Sequence, residues 1–143
     1  MSQRHQTRAD YRHFQSIPTR WMDNDVYGHV NNVHYYSYFD TAVNQFLIER
    51  GVLDIHRGEV IGYVVETACS YFLPVAFPDR VDAGIRVAHI GNSSVRYEIG
   101  LFRNDEAQLA AAGSFTHVYV ERSAGKSVPV PGAVRAVLAR LQV

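Results

Sequence analysis

Residues 20–40 read RWMDNDVYGHVNNVHYYSYFD. Two aspartates, a glycine, a histidine and an Asn-Asn pair crowd into one short segment that runs straight into aromatics. Those aromatics open a periodic stretch. Tyr35, Phe39, Ala42 and Phe46 recur at helical spacing, and Tyr36, Val43 and Leu47 widen the same face. The spacing predicts a helix from about Asn32 to Arg50, with Gly51 as its stop. The Asn, Asp and Gly residues ahead of it favour a turn, and Asn31 or Asn32 can cap the helix.

Working outward, Phe14 to Thr19 reads as a short extended segment, because Pro18 disfavours helix in the residue before it. Beyond Val60 the apolar period becomes two. Four strands are predicted: Val60 to about Pro74, Val81 to His89, Val95 to Leu101 and Leu109 to Val120, divided by turn-forming GNSS and RNDE. After Pro131, GAVRAVLARL reads as a short amphipathic C-terminal helix. Short turns between strands imply antiparallel neighbours in one meandering sheet, so the class is α+β. The long helix must bury its broad apolar face against that five-stranded antiparallel sheet. A helix wrapped by a curved sheet is the hotdog arrangement. Residues 1–11 read as a flexible N-terminal tail and 12–143 as one domain.

Composition narrows the function. Lys plus Arg and Asp plus Glu both number 14 in 143 residues, giving zero formal charge. That balance argues against nucleic acid or a membrane surface as the main partner. A single cysteine, Cys69, excludes an internal disulfide and suits a reducing compartment. The N-terminus lacks the apolar core of a signal peptide, and no run approaches the ~20 apolar residues of a membrane span. The expectation is a cytoplasmic protein. AGKS at 124–127 lacks the upstream glycine of a phosphate loop, and no GxSxG or GxGxxG occurs. The seven histidines show no paired ligand spacing, so no metal is expected. Cys69, mid-strand, reads as a small buried apolar residue rather than a nucleophile.

The 20–40 segment alone carries chemistry. Its plain reading is a turn plus a cap. Its functional reading uses the same geometry: a helix N-terminus presents free backbone N–H groups that can polarise a carbonyl. Asp25, a few residues upstream, sets a carboxylate near that carbonyl, able to attack it or to deprotonate a water. Thioesters suit such a minimal site because a thiolate leaves without strong acid assistance.

DNDVYGHVNNVHYYSYFDTA resembles the active-site signature of the 4-hydroxybenzoyl-CoA thioesterase family of hotdog proteins. The likeness extends through YFLPVAFPD, VAHIGNSSVRYEI and AAAGSFTHVYVERSAGKSVPVP, covering most of the chain. It implies acyl-CoA thioester hydrolysis with Asp25 as general base or nucleophile. Gly28 falls at the turn that lets backbone approach the thioester, and the amides around Val30, Asn31 and Asn32 fall where its oxygen is received. His29 and Asn32 belong to an HVNN version similar to that of acyl-carrier-protein thioesterases, and His29 either orients the turn or contacts substrate. Asp23 reads first as a turn residue or partner of Arg20, and Glu66 as a sheet-face charge. No cofactor is implied beyond the coenzyme A of the substrate.

Some relatives carry Arg and Lys at the turn matching Gly91–Ser94, and this chain has none there. Arg86, His89, Arg96 and Lys126 could supply charge from nearby, and an acyl-carrier-protein thioester stays open as substrate. A non-catalytic acyl-thioester binder on the same fold is the rival from another class, and a hotdog dehydratase a weaker one. The resemblance also implies a homodimer or homotetramer.

Overall fold

The computed structural model describes residues 3–54 and 56–143. Five strands form one antiparallel sheet: β1 (His13–Pro18), β2 (Val60–Tyr71), β3 (Arg80–Ile90), β4 (Ser94–Arg103) and β5 (Leu109–Glu121). Their order is β1-β3-β4-β5-β2. The long helix α1 (Val33–Glu49) lies on the concave face, and α2 (Gly132–Ala139) follows Pro131. This is the hotdog fold.

Helix α1 buries Tyr35, Tyr38, Phe39, Ala42, Val43, Phe46 and Leu47, one stripe spaced three and four residues apart. Facing it are alternate residues of the sheet, among them Val81, Ala83, Ile85, Tyr97, Ile99 and Phe115. The helix ends where Gly51 turns to φ 73°. The Gly51 amide donates to Ile48 O at 3.0 Å and the Val52 amide to Leu47 O at 3.1 Å, the paired bonds of a Schellman stop.

Two expectations need correction. The sheet is not one continuous meander, because β2 pairs with β5 at the far edge while β3 pairs with β1 and β4. Residues 72–79 are a crossover, tied to the polar turn as they pass the start of α1. Val30 donates to Val75 O at 2.7 Å and Phe77 donates to Asn24 Oδ1 at 3.0 Å. The N-terminal segment is not loose either. Two 3-10 turns, Gln3–His5 and Arg8–Asp10, fold back toward the sheet. The Arg8 guanidinium donates to Asp82 at 2.8 Å, Asn104 O at 2.6 Å and Glu106 O at 3.0 Å, over the Phe102 ring. Tyr11 is buried with Phe102, Leu109 and Ala112 in a second, smaller core. Single anchors leave no apolar period, so the sequence pattern does not register them. Met1 and Ser2 lie outside the described residues.

At the other edge, β2 pairs with β5 on one side, and its outer side meets no other strand among the described residues. Tyr63, Val64 and Val65 are exposed there, beside a bulge between Val64 and Glu66.

Candidate active site

The polar turn is built by its own backbone. Asp25 N–H donates to His29 O at 3.0 Å, Gly28 N–H returns to Asp25 O at 3.0 Å, and Asn24 bridges Val30. Gly28 has φ 84°, the left-handed region that favours glycine. Its role is the turn itself, with nothing within 4 Å of an added Cβ.

The two aspartates separate sharply. Asp23 is 1% exposed. Its carboxylate accepts the Arg20 amide at 2.9 Å, Arg20 Nε at 3.0 Å and the Tyr38 hydroxyl at 2.9 Å. Burial would raise its pKa, but the Arg20 and Tyr38 hydrogen bonds outweigh that and hold it below the ordinary carboxylate value. The same burial and contact push the Tyr38 phenol far up, so it stays a donor. Asp23 thus fastens the turn to α1 and to Arg20, as its position beside Arg20 suggested.

Asp25 is half-buried and has no ion pair among the described residues. One oxygen accepts the Tyr27 amide at 2.9 Å, and the other takes a long 3.3 Å bond from Asn31 Nδ2. Asn31 Oδ1 in turn accepts the Val33 amide at 3.1 Å, so one side chain links Asp25 to the first turn of α1. Asn32, the cap position, makes no side-chain cap bond.

Of the three amides that the resemblance assigned to the thioester oxygen, two are engaged inside the protein. Val30 N–H donates to Val75 O and Asn31 N–H to Asp23 O. Asn32 N–H donates to no described residue. Asn32 also lines a shallow cleft of about 310 Å³, together with His29, Val30, Tyr35, Tyr71 and Leu73. Asp25 does not line that cleft, but its backbone pairs with His29, which does. Exposed Trp21, Met22, Val26, Tyr27 and Val33 surround the turn with apolar surface.

Other candidates fall away or move. Burial raises the Cys69 thiol to about 11, so it remains protonated at neutral pH. Glu66 pairs with Arg96 at 3.4 Å on the sheet surface, and Arg86 is held by Glu98 at 2.8 Å. The Gly91–Ser94 turn is instead reached by Arg135, which donates to Gly91 O at 2.7 Å. Tyr38, Val75 and Asn24 support the site without any sequence signal, since each acts through a contact distant in the chain. Among the described residues, no three His, Cys, Asp or Glu side chains are grouped to hold a metal.

The profile of the Thioesterase-like superfamily matches residues 19–138, from the polar turn to the last helix. The chain belongs to that superfamily. The PA5185 protein of Pseudomonas aeruginosa strain PAO1 is 59% identical, with 95% of each chain covered and a TM-score of 0.93. The PA2801 protein of the same species is 30% identical over 88% of this chain and 97% of its own, with a TM-score of 0.83. A thioesterase of Thermus thermophilus, complexed with coenzyme A and zinc, is 28% identical over 92% of this chain and 95% of its own, with a TM-score of 0.76. Membership in this superfamily supports thioester hydrolysis in general terms. Among the described residues no helix is long and apolar enough to cross a membrane.

Proposed function

We propose that the protein hydrolyses acyl-CoA thioesters to the free acid and thiol, with Asp25 as the acting carboxylate. The observation that carries the reading is the presence on one turn of an Asp25 carboxylate and an Asn32 N–H at the start of a 17-residue helix, the first without a cationic partner and the second without an acceptor among the described residues. The helix N-terminus adds its partial positive charge to that N–H, which favours the developing oxyanion. Asp25 either deprotonates a water that attacks the carbonyl carbon, the thiolate then leaving and taking up the proton, or attacks that carbon itself, the thiolate leaving a mixed anhydride that water hydrolyses to the free acid. Gly28 and His29 shape the turn, and Asn31 orients Asp25. Coenzyme A in the Thermus relative supports a CoA thioester as the substrate form.

The working unit in this reading is a pair of chains joined along β2. An open edge strand with exposed Tyr63, Val64 and Val65 calls for cover, and a second copy supplies it by antiparallel pairing. Light scattering at micromolar concentration should give a multiple of 16.1 kDa, and a monomer mass would refute the pairing.

The functional test is a panel of acyl-CoAs read by released thiol. Turnover by the protein and its loss in Asp25→Asn support the reading. Stabilisation by acyl-CoA without any thiol release would make the protein a binder and sink the hydrolase.

A further inference from the structure

At the opposite end of α1 from the polar turn lies a cavity of about 220 Å³. From Asn32 to Asn44, which lines it, the helix runs about 18 Å at 1.5 Å per residue, so the cavity is separate from the Asp25 turn. Leu47, Leu53, Val60, Tyr119 and Val134 make most of its wall apolar. Among its side-chain nitrogens, those of Asn44 and Arg122 are engaged within the protein and one of His117 is not. Asn44 Nδ2 donates to Asp40 O at 2.8 Å, and Arg122 Nε donates to Gly58 O at 2.7 Å.

His117 lies on β5. It is 2% exposed, and its Nδ1 has no hydrogen-bond partner among the described residues. Tyr97, Phe115 and Tyr119 rings pack around it at 4.9–6.5 Å. Burial lowers its pKa to about 4, so near neutral pH the ring is uncharged, with one nitrogen donating and the other accepting. Gly62 on β2, also in the cavity wall, gives the ring its room: a Cβ there would lie 3.0 Å from Nδ1. A buried nitrogen without a partner is uncommon in folded proteins and asks for an occupant that supplies one.

An apolar cavity of about 150 Å³ can hold a benzene ring, so this one has room for roughly eight non-hydrogen atoms. We infer that the cavity is a binding site for an uncharged, mostly apolar group of that size whose hydroxyl or carbonyl oxygen hydrogen-bonds to His117. The apolar wall supplies the affinity and His117 the selectivity. The site does not depend on Asp25 or on thioester chemistry, so either can fail without the other.

The test uses the full chain and two probes of equal size, benzyl alcohol and ethylbenzene, titrated by calorimetry. Ethylbenzene is the more hydrophobic of the two, so the informative quantity is the ratio of their affinities. His117→Phe keeps the ring and removes both nitrogens. It should shift that ratio about tenfold against the alcohol, the size of one hydrogen bond. In the unmutated protein, benzyl alcohol should move the ring ¹⁵N resonances of His117 while ethylbenzene leaves them in place, which reads the same bond even if the variant does not fold. An unchanged ratio, unmoved resonances with the alcohol, or no binding of either probe because only water enters would each overturn the inference.

Discussion

Asp23 and Asp25 sit two residues apart on one turn, and the fold treats them in opposite ways. Asp23 points inward, where Arg20 and Tyr38 claim both carboxylate oxygens. Asp25 stays at the surface of the turn with one backbone bond and one long amide bond. A carboxylate surrounded by donors is a good anchor and a poor base, because its lone pairs are spoken for and its pKa is driven down. The less committed one keeps a lone pair for chemistry. On the convex side of the sheet, Asp82 repeats the Asp23 arrangement. It holds Arg8 at 2.8 Å, Arg80 at 2.9 Å and the Ser16 hydroxyl at 2.8 Å.

The contrast breaks first at Asp25. Asp25→Asn should lower turnover of acyl-CoA by at least ~10²–10⁴-fold, the usual share of general-base catalysis. Its melting temperature should barely move, because an asparagine oxygen can still accept the Tyr27 amide. A folded variant with near-wild-type turnover would disprove the mechanism.

Asp23→Asn should behave inversely. Losing the charge opposite Arg20 inside the turn should cost about 2 kcal/mol of stability, discounted because Arg20 is largely solvated. Chemical denaturation measures this, and turnover per folded molecule should stay within a few-fold. Equal damage to activity from both substitutions would erase the distinction drawn here.

Deleting residues 1–10 removes Arg8 and leaves Asp82 with fewer partners. We expect a loss of about 1–2 kcal/mol, or a fall in melting temperature of roughly 5 °C. An unchanged midpoint would return this segment to the status of a loose tail.

The smallest effect is a slope in acid. Burial would raise the Asp82 pKa, but hydrogen bonds from Arg80, Arg8 and Ser16 overcome it and bring the value down to about 2, from 3.8 in the unfolded chain. Asp23 is shifted in the same direction. A depressed folded pKa adds stability that is fully present above about pH 4 and is lost as pH falls toward 2. Denaturation midpoints across that window should fall less steeply in Asp82→Asn than in the unmodified protein.

The helix, the five strands and the last helix were all legible, because each buries a face whose period the sequence displays. The order of strands was not. The 72–79 segment is rich in turn-forming residues, and composition does not tell a crossover from a hairpin. The Asp23–Asp25 distinction was half legible: proximity to Arg20 marked the anchor, but Tyr38 enters only when α1 folds over the turn. The engagement of the Val30 and Asn31 amides was not legible, because the acceptor Val75 comes into range only with the crossover in place and Asp23 only with the turn closed. His117 gave no signal, since a lone histidine in an apolar strand usually finds a partner in the core.

Gly84 and Gly100 face each other across β3 and β4. Neither needs an unusual backbone angle, and strand propensity alone would favour replacing both. Yet a Cβ on Gly84 would stand 2.8 Å from the Tyr11 ring, and one on Gly100 would stand 2.5 Å from it. At Gly100 the sign of a glycine-to-alanine exchange therefore depends on what occupies position 11: harmful with tyrosine present, and helpful once a small residue has vacated the slot, whereas at Gly84 the Phe14 ring, 2.9 Å from the added Cβ, must give way as well. Such sign epistasis makes positions 11, 14, 84 and 100 one heritable unit, open to change by a joint move and closed to most single steps.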